Sequence, residues 1–340
     1  MYFSARTASL ALLSLMAAVV AQEYNLVKEY AGPSFFDDWS FYNNVDNLTH
    51  GNAFFVGDSQ ASSARLAFVN DAGNAVMRYG QNRNAIRIST KDQFTVGSVW
   101  VTDILHVPFG CSVWGAFWSS APIWPLGGEA VNQDARSHMG LHTNPTSTLV
   151  NSTNCDINAN GNQGCIVTNP DPASYGQAFA NAGGGVYVTE FATSGISIWV
   201  FNRTTLPSSL QGNQSAIDTS TLGAPVANWP ADGCDVTEFF QPQEIVFDIT
   251  LCGDYAGAAS IFQQTCSGVC YQDFVLGDPS HYDTAFFEVA YLRVYGQPGE
   301  LTVIQTSGAT ARIAASRGSQ ALLLLVTVLA VGLLLSAGTP

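Results

Sequence analysis

Cys111-Ser112-Val113-Trp114-Gly115-Ala116-Phe117-Trp118 reads as an extended strand. With a side-chain period of two, Trp114, Ala116 and Trp118 fall on one face and Cys111, Val113 and Phe117 on the other. The two indoles then stand roughly 13 Å apart on one strand face. That spacing suits stacking against successive sugar rings, although two tryptophans on a strand equally suit a packed core. Trp124, beside Pro125 in the next loop, brings a third ring to the same neighbourhood.

Outward from this strand, short runs rich in Val, Ile, Phe, Tyr and Thr recur between Gly, Asn, Pro and Ser clusters, the pattern of an all-β domain. Examples are residues 64–69, 75–79, 85–90, 99–106, 185–191, 195–201, 244–251 and 286–295. Sustained helical periodicity is confined to the two ends of the chain. Turn-rich connections at 144–184 and 204–241 fit loops laid over one face of a sandwich of two antiparallel sheets. No internal repeat or linker divides residues 22–298, which are expected to form one domain.

The ends carry processing signals. Arg6, the apolar run Ala8 to Val20 and the small-residue pattern Val19-Val20-Ala21 predict a signal peptide over residues 1–21. Residues 299–320 read as a polar spacer and residues 321–340 as an apolar tail with no Lys or Arg beyond it. With Ser307-Gly308-Ala309 upstream, the pattern fits a glycolipid-anchor signal better than a retained span. Secretion to the cell surface or wall is expected. Sequons at Asn47, Asn151, Asn202 and Asn213 agree with it. Of the 12 basic residues, Arg6, Arg312 and Arg317 lie in the ends, so nine face 26 acidic ones, a net charge of 9 − 26 = −17. Such a balance disfavours nucleic acid and anionic membranes and suits a neutral polymer. Seven cysteines leave one over from three disulfides. Cys111, in an apolar run, reads as the free thiol, and proximity would pair Cys155 with Cys165, Cys234 with Cys252 and Cys266 with Cys270.

Several segments, in order, resemble glycoside hydrolase family 16, specifically the secreted fungal laminarinase-like endo-β-1,3(4)-glucanases. Gly110 to Trp118 is similar to the family's G-C-x-x-W-P-A-F-W, with Gly115 in place of proline. Arg83 to Ser89, Thr102 to Pro108, Val131-Asn132-Gln133, Leu141-His142-Thr143, Ile245 to Asp248, Cys252 to Gly257 and Tyr291 to Tyr295 resemble further family strands. The resemblance implies a jelly-roll β-sandwich of the concanavalin A-like type, whose concave sheet forms a cleft for β-glucan. Trp114, Trp118 and Trp124 would line it, with Arg87, Asn132, Gln133, His142 and Trp199 supplying polar and stacking contacts. No cofactor is required; several members bind calcium, but no compact carboxylate cluster in this chain calls for it. A monomer is expected.

The resemblance breaks at the catalytic strand. The family's G-E-I-D-I-I-E-x-V-N supplies a nucleophile, a helper Asp and an acid/base, whereas here Gly128-Glu129 runs straight into Ala130-Val131-Asn132. Five residues are missing, and with them one Glu and the Asp. Read from the left Glu129 is the nucleophile; read from the right it is the acid/base. Asp134 stands five positions later, the separation of the family's glutamates, but Asn132 and Gln133 already match the segment beyond the motif. Losing five residues from an interior strand removes about 16 Å of extended chain and, being odd, reverses the facing of the residues downstream. A true deletion and a mis-assigned splice boundary both account for it. Three functions are in play: a retaining endo-β-glucanase, a catalytically silent glucan-binding protein, and a wall-remodelling transglycosylase that needs the same two carboxylates.

Overall fold

The structure, a computed structural model, describes residues 23–121, 130–134, 138–142, 155, 164–232 and 235–305; for 130–134 and 138–142 it describes the backbone alone. The signal peptide, the apolar tail, Trp124, Glu129, Asn151 and Cys234 lie outside these residues.

Two antiparallel sheets carry the fold. The seven-stranded sheet runs, in spatial order, Cys165–Thr168, His138–His142, Ala130–Asp134, Val113–Ser120, Glu244–Leu251, Arg87–Thr90 and Trp39–Phe41. The larger sheet has its central path through Ala216–Asp218, Glu23–Ala31, Phe286–Gly296, Ser98–His106, Gly185–Ala192, Gly195–Asn202 and Ala227–Pro230. Ala75–Arg78 joins it by pairing Phe286–Gly296, and Ala67–Val69 lies beyond. The strands read from sequence are therefore present, each within a few residues of its expected bounds. The described helices are short; the longest have six residues, at Asp58–Ser63, Gly176–Asn181 and Cys270–Val275.

Alternation within each strand decides which side meets the core. Phe117 and Phe247 are cross-strand partners whose rings stack at 4.7 Å, and Phe247 meets Phe287 of the other sheet edge-on at 5.2 Å. Trp39, Ile88, Ile245 and Ile249 fill the same layer. The far side of the larger sheet has a second apolar layer, in which Val99, Val101, Val186, Val188 and Trp199 are covered by Leu210, Ile217 and Leu222. The turn-rich connection after Asn202 is thus a cover over one sheet face, as its composition suggested.

The cysteines pair differently from the proximity reading. Cys155–Cys165 forms as expected, but the other two bonds are Cys111–Cys266 and Cys252–Cys270. Cys111 is therefore not the free thiol. It lies just ahead of Val113–Ser120, where the segment after Glu244–Leu251 folds back against it, a meeting that neighbouring positions in sequence do not reveal. Cys234 is the cysteine left outside these three bonds. The C-terminal boundary also moves. Val303–Gln305 pairs with Asp92–Phe94 and Thr302 is buried, so the fold continues past Pro298 to Gln305.

Candidate functional site

The side of the seven-stranded sheet turned away from the core is built by parity. On Glu244–Leu251 the residues Ile245, Phe247, Ile249 and Leu251 enter the core, which sends Glu244, Val246, Asp248 and Thr250 to the other face. Register places Trp118 opposite Val246, Ala116 opposite Asp248 and Trp114 opposite Thr250. On the far side of that strand Ser89 pairs Val246 and Arg87 pairs Asp248. Trp114, Ala116 and Trp118 do share one face, with Phe117 on the other.

Each aromatic group is held by a definite partner. Trp118 donates its indole N–H to Asp248 Oδ1 at 2.8 Å. The Arg87 guanidinium lies 5.4 Å from the Trp118 ring and 4.8 Å from the Tyr42 ring, within cation–π range of both. Trp114 is partly exposed and its ring centre lies 5.5 Å from that of Tyr255. Its indole N–H has no hydrogen-bond partner among the described residues. Tyr255 belongs to Gly253–Ala256, the first turn of the segment held by the Cys111–Cys266 and Cys252–Cys270 bonds. On the same side, Asp46 accepts from Thr250 Oγ1 at 2.7 Å and from the backbone N–H groups of Leu48, Thr49 and Gly51. His50 Nδ1 lies 2.8 Å from Asp254 Oδ2, tying this loop to the Tyr255 turn.

Two carboxyls of the face are perturbed. Burial pushes Asp248 up to about 7, against the pull of Arg87 and the Trp118 hydrogen bond. Burial also raises Glu244, opposed by the Ser89 hydroxyl and Arg87. Asp46 goes the other way: burial alone would raise it, but hydrogen bonds from Thr49, Thr250 and Leu48 bring it below the ordinary carboxylate range. Among the described residues no three His, Cys, Asp or Glu side chains converge as a metal site.

Of the residues expected from sequence, Trp114, Trp118 and Arg87 come together on this face. Asn132 is the cross-strand partner of Trp118, Gln133 that of Phe117, and His142 that of Ala130. The segment after the motif break has therefore entered the sheet as an interior strand, and Asp134 stands opposite Ala116, in the row that includes Asp248. Trp199 is elsewhere. It belongs to the apolar layer on the far side of the larger sheet, where its indole N–H donates to Gly223 O at 2.9 Å. Its Val/Ile-rich strand gave no indication of which face it would occupy. Asp248, Glu244, Tyr42 and Tyr255 were not singled out in sequence. The available signal was parity: an Asp at the alternate position of a core strand, out of phase with Phe247.

The chain is similar to known proteins in sequence and in fold. Residues 39–295 match the profile of the XgeA-like, catalytic GH16 domain. A probable glycosidase of Schizosaccharomyces pombe is 35% identical over 300 residues, covering 81% of this chain and 70% of that protein. A probable endo-1,3(4)-β-glucanase of Neosartorya fischeri is 32% identical over 320 residues, covering 84% of this chain but 48% of that protein, so the chain spans about half the length of this relative. Among solved structures, laminarinase 16A of Phanerochaete chrysosporium, determined with β-glucans in its donor and acceptor sites, aligns with a TM-score of 0.74 at 31% identity, covering 80% of this chain and 99% of that one. Matched from Trp39 to Tyr295 and aligned with the laminarinase over 80% of its length, the chain belongs to glycoside hydrolase family 16, within its XgeA-like group.

Proposed function

We propose that the open face of the seven-stranded sheet binds an extended β-1,3/1,4-glucan, and that the activity is the family's endo-hydrolysis of β-1,3(4)-glucan, with Glu129 as the carboxylate the motif retains. One observation carries this: half-buried Trp114, beside Tyr255, and Trp118, held by Asp248 and Arg87 beneath it, share the outer face of one strand. Trp124, Asn132, Gln133 and His142 complete the proposed contacts. The relatives' names and the laminarinase structure support the choice of polymer.

Retaining hydrolysis needs two carboxyl groups about 5–5.5 Å apart, one attacking the anomeric carbon while the other donates and then removes a proton. The break leaves one of the family's pair. A second reading, a cell-surface protein that binds β-glucan without turning it over, is favoured by the strand that fills the gap: Ala130–Asp134 occupies the interior position with Asp134 as its one carboxylate-bearing residue. Hydrolysis of laminarin and lichenan, measured beside laminarin binding for the wild type and Glu129→Gln, decides between them. Turnover lost in Glu129→Gln supports the enzyme, binding with no turnover supports the second reading, and absence of binding overturns both.

Secretion, glycosylation at the sequons, a lipid anchor at the cell surface and a monomeric state belong to the same proposal. Three disulfides support an oxidising compartment. Release of surface-labelled protein by a phosphatidylinositol-specific phospholipase is expected; retention on the cells would count against the anchor.

A further inference from the structure

Asp248 sits in the middle of this face with only 8% of its surface exposed, beside the equally buried Trp118. A carboxylate there is costly to bury, and Val246 and Ala116 show that apolar side chains are accommodated beside it. Its contacts are specific. Oδ1 accepts the Trp118 indole N–H at 2.8 Å, and Arg87, its cross-strand partner, lies over the Trp118 and Tyr42 rings.

We infer that Asp248 is a positioning residue for the glucan face, fixing the tilt of the buried Trp118 indole and holding Arg87 beside it as the floor on which the sugar rests. This rests on the glucan reading above. An indole turns about two bonds, and tying its N–H edge to a strand-borne carboxylate removes the second rotation. The same anion attracts the guanidinium, so one group sets both walls of the platform. Neutralising it weakens the acceptor and releases Arg87 together.

Among the described residues the groups facing Asp248 are few. Arg87 comes from the neighbouring strand and Asp46 from the loop bonded to Thr250, while Glu244 lies on its own strand. Val113–Ser120 presents Trp114, Ala116, Trp118 and Ser120, none of which titrates near neutrality, and Asp134 occupies the register position beyond Ala116. With its carboxyl pushed up to about 7, Asp248 changes charge within an accessible range.

The test tracks the nitrogen-15-labelled indole signal of Trp118, assigned with Trp118→Phe, alongside laminarin affinity between about pH 5 and 9. Signal and affinity are expected to step together near neutrality in the wild type, affinity being lower on the acid side. Asp248→Asn should flatten both profiles, Asp248→Leu should weaken binding about tenfold, and Glu244→Gln should keep the step. An unchanged step in Asp248→Asn, or wild-type affinity in folded Asp248→Leu, overturns the inference while leaving glucan binding intact. A wild type that binds no laminarin overturns the glucan reading instead.

Discussion

Removing the Cys111–Cys266 bond should destabilise the domain more than removing either of the other two. The bond joins positions 155 residues apart, against 18 for Cys252–Cys270 and 10 for Cys155–Cys165. A cross-link stabilises mainly by restricting the unfolded chain, and the restriction grows with the logarithm of the closed loop. By that relation the three bonds contribute about 5, 3 and 2.7 kcal/mol. Each pair is replaced by alanines in a Cys234→Ser background, so that no free thiol exchanges during unfolding. Urea denaturation then gives the free energy and its slope. The Cys111/Cys266 variant should lose the most stability and show the steepest slope, because its unfolded chain exposes the most new surface. Equal losses for all three, or a larger loss for Cys155/Cys165, would refute the loop-entropy reasoning and point to native-state packing instead.

Asp248→Asn should also change how stability depends on pH. Its folded carboxyl is raised from 3.8 to about 7, so the wild type keeps this contribution in acid and loses it as pH rises through neutrality, by on the order of 4 kcal/mol. The variant should lack that decline in urea titrations at acid and alkaline pH, and parallel curves would count against a buried titrating group. At Gly115 a Cβ would stand 2.6 Å from Pro108 Cγ, so Gly115→Ala should destabilise by about 1–3 kcal/mol, read as a lower urea midpoint. Phe247→Ala should cost about 3–5 kcal/mol, since it empties the contact with Phe117 within its sheet and with Phe287 of the other sheet; calorimetry checks this. Trp118→Ala should lose laminarin binding while the fold persists, whereas Trp199→Ala should lower stability and leave affinity unchanged, compared by affinity electrophoresis and melting.

The strands of the sandwich were legible because burial on one face imposes a period of two, and runs such as Glu244 to Leu251 show it even with an Asp inside. Glu23–Ala31 was not read, since its alternation is broken by the irregularity between Leu26 and Lys28: Leu26 and Val27 are exposed, and only Tyr24 and Tyr30 are buried. Cysteine pairing was legible only where the loop is short. Cys111 and Cys266 meet because two sheet-end segments fold together, which spacing cannot express. At the site, the tryptophan face came from alternation alone. Asp248 did not, because its role depends on a cross-strand row, and a register between distant strands is set by the folded sheet. The same limit applies to Asn132 and Gln133. Neighbours in sequence, they occupy opposite parities once Ala130–Asp134 pairs with Val113–Ser120.

The segment bearing Tyr255 is bonded through Cys252 and Cys270 to the end of Glu244–Leu251 and through Cys266 to the approach to Val113–Ser120. Floor and flank of the platform at Trp114 are therefore one cross-linked piece, and this end of the site cannot open as a hinged lid does. Its kinetics should show it. A soluble oligosaccharide arriving at Trp114 should associate in a single concentration-dependent phase, without the slow isomerisation seen after capture in sites that must close.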